Sequence, residues 1–183
     1  MTTAPSSSPH AATTTATDPA SGPVRAGPAR PVSVTAIRYG ADMTPLAARL
    51  TEETNALVRD LREALAAAGD PARAEQQRRY LKSAMEMYGV GVPRTRRIAQ
   101  AAAASHPSLW RDATGWETAL RRVWDTAEHR EERFAVLAII RSRHCAPHAD
   151  RIESLALYEH LLRTGQWWDL VDEASHAVGL VVR

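Results

Sequence analysis

From residue 43 onward, apolar positions recur three and four residues apart and polar residues fill the gaps between them, which is the signature of amphipathic helices. Leu57, Val58, Leu61 and Leu65 mark one face of a first helix; Thr51-Glu52-Glu53-Thr54 opens it with a cap and early acids, and Gly69 ends it. Asp70-Pro71 places an N-cap before a proline at the first helical position and predicts a second helix to about Met85. Tyr88-Gly89-Val90-Gly91-Val92 breaks the pattern, and Pro93 opens a third helix with Ile98 and Ala102 inward, ending near His106-Pro107. Further helices are predicted over about 116–127 (Trp116, Leu120, Val123, Trp124), 130–143 (Phe134, Leu137, Ile140) and 150–163 (Ile152, Leu155, Leu162), the last closed by Gly165. A seventh starts at Trp168 or Asp169 and runs to the C-terminus on Leu170, Val171, Ala174, Val178 and Val181. No two-residue hairpin turn lies between alternating runs, so nothing predicts strands. The fold class is all-α: antiparallel helices of roughly 11–17 residues joined by short loops.

Helix pairs of this size suit an α-solenoid, whose HEAT-like repeats run about 40–47 residues, although no fixed period of self-similarity is visible. Val178, Val181 and Val182 form an apolar stripe that needs cover. Either the last helix packs back on its neighbours, or the chain is a shortened form of a longer array.

Residues 1–41 read differently. They hold six of the 11 prolines and almost no large apolar side chain, so they cannot bury enough surface to offset their ordering entropy and are expected to be disordered. Val34 to Tyr39 could form a short extended piece at the boundary. The predicted organisation is a tail over 1–41 and a helical domain over 42–183. The tail also carries the charge: Arg25, Arg30 and Arg38 against Asp18 account for the whole net charge of +2. A nucleic-acid surface on the helical part must therefore rest on where its charges sit, not on their sum. Lys82 is the lone lysine among 23 basic residues. The arginine excess fits codon bias of a GC-rich genome, and arginine also favours bidentate phosphate contacts. One cysteine excludes a disulfide framework. No apolar run is long enough for a membrane span, and no secretory leader pattern precedes the helices, so cytoplasm is the expected location.

Two blocks could carry chemistry. The first is Gly165-Gln166-Trp167-Trp168-Asp169-Leu170-Val171-Asp172-Glu173. Trp168 and Asp172 are four apart, hence on one helical face, and an indole beside a carboxylate can hold a flat cationic group. The same pattern also suits an N-cap at Asp169 with Asp172 and Glu173 complementing the helix dipole. The second block runs from Arg78 to Arg97 and places Tyr80 and Lys82 near the end of one helix, and Arg94, Arg96 and Arg97 at the start of the next. These could grip phosphate oxygens together with helix N-terminal N–H groups; a solvated basic face would look the same. His144-Cys145-x-x-His148 matches metal-ligand spacing loosely and has no second cluster. Trp110, Trp116 and Trp124 are expected in the core, because only one Phe is available to fill it. Ser-His-Asp catalysis has no supporting signature.

Taken in order, Tyr80-Leu81-Lys82, Tyr88-Gly89-Val90, Pro93-x-x-Arg96-Arg97, Trp124-Asp125, Arg133-Phe134-Ala135 and Trp167-Trp168-Asp169-x-Val171-Asp172 resemble the DNA alkylation repair (AlkD-type) glycosylases over roughly residues 50–183. The resemblance implies a right-handed HEAT-like superhelix with duplex DNA on its concave face. It implies hydrolysis of the N-glycosidic bond of cationic N3- and N7-alkylated purines, without the base flipping of other glycosylases. Asp172 then matches the catalytic aspartate, Trp168 the tryptophan packed on the sugar backbone and Tyr80 an aromatic DNA contact. Lys82, Arg94, Arg96, Arg97 and Trp167 complete the expected DNA-binding set. The expected partner is duplex DNA carrying alkylated purines, bound by a monomer with no cofactor or metal. An alkylated purine already carries positive charge and leaves neutral, so catalysis reduces to stabilising a cationic sugar. One carboxylate at about 4 Å and an effective dielectric near 20 contributes about 4 kcal/mol, roughly a thousandfold in rate. Family members run on for about two more helix pairs, which makes the domain look incomplete at its C-terminal end. The competing expectation is a non-catalytic helical-repeat module that binds DNA or protein.

Overall fold

Eight α-helices carry the chain among residues 43–182, the part that the computed structural model describes. They are α1 (Met43–Ala67), α2 (Pro71–Leu81), α3 (Val92–Ser105), α4 (Ala113–Asp125), α5 (Arg130–Ile140), the short α6 (Ala146–Ala149), α7 (Leu155–Gly165) and α8 (Trp168–Val181). Turns of 3₁₀ helix at Pro107–Trp110 and Ile152–Ser154 join them. No strand occurs among the described residues, only an isolated bridge between Glu86 and His129. The expectations for residues 1–41 lie outside the described part.

The helices stand in two rows. Helices α1, α4 and α7 form one, α3, α5 and α8 the other, and the pairs α1/α3, α4/α5 and α7/α8 connect the rows. This is the all-α, solenoid-like layering that the helix lengths suggested. At the centre lies α5, whose Ala135-Val136-Leu137-Ala138-Ile139-Ile140 run is buried on every side; a helix apolar all round belongs in the interior. Leu57, Leu61 and Leu65 of α1 and Trp116, Leu120, Val123 and Trp124 of α4 pack into the same core, as does Trp110. Gly165 lets the end of α7 close on α4: a Cβ there would lie 2.8 Å from the Trp124 ring. The Trp124 indole N–H donates to Thr164 at 2.8 Å.

Several boundaries depart from the pattern reading, each for a local reason. Helix α1 begins at Met43, so Thr51 lies inside it and donates its hydroxyl to the Ala47 carbonyl at 2.9 Å instead of capping. Helix α2 stops at Leu81, short of Met85, because Lys82 adopts the left-handed conformation (φ 49°). The helix predicted over 150–163 divides. The Ser154 hydroxyl bonds the His148 carbonyl, a side-chain bond that competes with regular helix, and α7 starts only at Leu155. Ile152, expected inward, is 71% exposed. Val171 of α8 is also exposed, while Leu170, Ala174 and Ala177 are the buried positions. Val178 and Val181 pack partly against the core, and Val182 faces out.

Candidate nucleic-acid interface

The site is built outward from the first turn of α5. Arg130, Glu131 and Glu132 are all buried there, an expensive arrangement unless every charge finds partners. Glu131 accepts three main-chain N–H bonds from the loop before α3: Tyr88 at 3.1 Å, Gly89 at 2.8 Å and Val90 at 3.0 Å. Gly89 sits at φ 81°, where a Cβ would fall 2.0 Å from the Asp70 carbonyl oxygen, so only glycine fits this turn. Glu132 accepts the His129 N–H at 3.0 Å and the Arg62 Nε–H at 2.9 Å. The Tyr88 hydroxyl donates to it at 3.3 Å, and the Tyr88 ring stacks on His129 with centroids 3.8 Å apart. Burial, reinforced by the charge of Glu132, raises the Tyr88 hydroxyl well above its ordinary pKa.

Arg130 joins this turn to α8. Its Nε donates to Asp169 Oδ2 at 3.2 Å and its Nη2 to the other carboxylate oxygen. Its guanidinium lies 6.0 Å from the centre of the Trp167 ring, and its main-chain N–H donates to the Glu86 carbonyl at 2.9 Å. Asp169 is therefore not the N-cap that the sequence suggested: Trp167 holds that position with extended backbone. Asp169 lies inside the first turn, tied to Arg130. Arg130 was missed because its role is set by a residue 39 positions away. Its one sequence signal is a cation at a helix start, where the dipole disfavours it.

With α8 fixed in this way, Trp167 packs inward against the core and Trp168 projects outward, 55% exposed. Across from it stands Tyr80, 75% exposed. Their rings meet edge to face, centroids 6.5 Å apart at 78°, so two residues from the two sequence blocks come into contact. Between them opens a cleft of about 280 Å³ lined by Leu81, Met87, Val90 and Phe134, with Arg130 and Asp169 also on its wall. One turn beyond Trp168, Asp172 is exposed, and among the described residues its carboxylate has no hydrogen-bond or ionic partner; only its carbonyl accepts, from Ser175 and His176.

The basic residues divide. Lys82, Arg94 and Arg97 are exposed with no carboxylate partner among the described residues. Arg96 is held by Glu173 at 2.9 and 3.0 Å. Arg141, at the end of α5, reaches the same carboxylate at 2.8 Å and was not anticipated. His148 lies in the core, its Nε2 3.0 Å from the Trp110 carbonyl. Burial pushes the Cys145 thiol up to about 11. The described residues hold no group of three or more metal-ligating side chains.

The family model for the DNA alkylation repair enzyme matches residues 61–183. The chain belongs to that family. The match spans the last seven residues of α1 and all of α2 to α8, so every candidate site residue of this DNA alkylation repair family member falls within it. No curated protein and no solved structure is matched. No helix among the described residues is long and apolar enough to cross a membrane.

Proposed function

We propose that this protein is a DNA glycosylase that hydrolyses the N-glycosidic bond of cationic N3- and N7-alkylated purines in duplex DNA, acting as a monomer in the cytoplasm, where the nucleoid lies. The observation that carries the reading is the carboxylate of Asp172, unpartnered among the described residues and one helical turn from an exposed Trp168 that meets Tyr80. DNA lies along the row formed by α3, α5 and α8, the concave side of a right-handed superhelix, with Lys82, Arg94 and Arg97 on its phosphates. Trp168 and Tyr80 pack against the sugar backbone at the lesion, and Asp172 faces the deoxyribose as its positive charge grows.

The exposure of Asp172 sets a condition on this chemistry. At about 4 Å in water its attraction for a sugar cation is about 1 kcal/mol, against about 4 kcal/mol at an effective dielectric near 20. The carboxylate gains its strength only when bound DNA displaces water from the face. A purine that is already cationic needs no proton from the protein to leave, so a single carboxylate suffices.

The test is release of 7-methylguanine from methylated duplex DNA. Asp172→Asn keeps the shape and removes the charge, and is expected to lower the rate by roughly a hundredfold, about 2.7 kcal/mol. Equal release by wild type and variant would refute the assignment. Intact DNA binding with no release by either would establish the alternative, a helical-repeat module that holds DNA without cutting it.

A further inference from the structure

Helix α8 carries two neighbouring carboxylates in opposite circumstances. Asp172 has no ionic partner among the described residues, whereas Glu173 takes two arginines from two other helical elements. Its Oε1 lies 2.9 Å from Arg96 Nη2 and 2.8 Å from Arg141 Nη1, and Oε2 lies 3.0 Å from Arg96. The carboxylate side chain is only 13% exposed, but the two guanidinium side chains are 44% and 41% exposed. Each arginine therefore keeps donors facing solvent while one small anion sits between them.

An anionic group with two oxygens shared by a pair of guanidiniums is also how a DNA phosphate is held. We propose that Glu173 is an internal substitute for a backbone phosphate, which part-neutralises Arg96 and Arg141 until DNA takes its place, and that Arg141 is a DNA contact. The inference rests on the DNA-binding reading above. The cluster nets a single positive charge, so the face attracts undamaged DNA less than its arginines alone would. Because the guanidinium ends of these pairs are 44% and 41% exposed, a phosphate can reach them from solvent and exchange for the carboxylate. The arginines then add phosphate contacts only once DNA is seated.

The experiment measures binding of the full chain to an unmodified short duplex across a salt series. Removing the competing charge with Glu173→Gln is expected to tighten binding roughly three- to tenfold at about 0.1 M salt, and to steepen the dependence of log K on log salt by about one unit. Adding Arg141→Ala to that variant should return the slope by about one unit. Arg141→Ala alone, which leaves Glu173 in place, should make the slope shallower than that of wild type. Unchanged affinity and slope in Glu173→Gln would overturn the proposal and place both arginines on a solvated face. Weaker binding would also overturn it, because Glu173 would then be orienting the arginines rather than competing for them. Release of 7-methylguanine is scored separately. If release persists while Glu173→Gln leaves binding unchanged, only the substitute phosphate is lost. If Glu173→Gln steepens the slope but no variant releases base, only the glycosylase reading is lost.

Discussion

Helices α2 and α5 are both 11 residues long and both line the cleft, yet they are opposites. Nine residues of α5 are buried, three of them charged, and none of α2 is. Their sequences explain this: α5 follows its charged first turn with an unbroken apolar run, whereas in α2 Tyr80 and Leu81 are the only large apolar residues and, of these two, Leu81 alone turns partly inward. The difference gives the cleft one stiff wall and one soft one. Trp168 and Asp172 belong to the stiff wall, because Arg130 ties α8 to α5. Tyr80 and Lys82 sit at the end of the soft wall, held by the Asp70 cap, the Arg78–Glu86 pair and the edge contact with Trp168. Segments with few buried contacts open locally at low cost. The carboxylate that we propose faces the sugar thus stands on a fixed support, and the aromatic side chain opposite is free to adjust.

The contrast can be broken most strongly at Arg130. Arg130→Ala leaves Asp169 with an uncompensated charge at a nearly closed site and is expected to cost about 3–5 kcal/mol in denaturant melts; a loss under about 1 kcal/mol would mean that α8 is held by apolar packing alone. Next in size is an alkaline effect on the same side. Cys145, in the turn after α5, ionises only at about 11 in the fold against an ordinary 9.0. Between those values the unfolded chain sheds the proton first, so stability is fully present below about pH 9 and falls as pH rises, by at most about 2.7 kcal/mol from this group. Tyr88 and Tyr158, both raised by burial, act in the same direction at higher pH. Cys145→Ala should flatten the lower part of that decline in melts taken from pH 8 to 11.

The soft wall should respond less. Asp70 accepts the N–H groups of Ala72 and Arg73 at 3.0 and 3.1 Å, and Asp70→Ala is expected to cost about 1 kcal/mol. Hydrogen exchange should show faster opening confined to α2; speeding across α5 as well would show that the two walls unfold together. Smallest of all, Tyr80→Ala should shift global stability by less than about 0.5 kcal/mol while weakening DNA binding. A large melting shift would make Tyr80 a structural residue and remove the soft wall from the comparison.

Helix periodicity located the elements and most of the core, because apolar spacing along one helix reports which face is turned inward. It placed Leu57, Leu61 and Leu65, Trp116 and Trp124, and the Trp168–Asp172 face correctly, while the scarcity of Phe pointed to Trp110. It failed where a bond to a group outside the predicted element decided the outcome. Ser154 bonds back to His148 and interrupts the predicted helix, and Asp169 leaves its expected cap role for Arg130. Val171 was read as inward from hydrophobicity alone, although the neighbours of α8 cover Leu170, Ala174 and Ala177 instead.

By itself, then, the order of residues determined the all-α class, the helix-bearing segments, the family resemblance and the pairing of an indole with a carboxylate one turn apart. All of these depend on spacing within a few residues along the chain. Only the tertiary structure decided that Tyr80 meets Trp168, that Arg130 anchors the start of α8 and that Glu173 holds Arg96 and Arg141 together. Those contacts join positions far apart in the chain: packing α3, α5 and α8 side by side brings the charged groups together, and the end of α2 meets the start of α8 through Tyr80 and Trp168, none of which a local pattern relates.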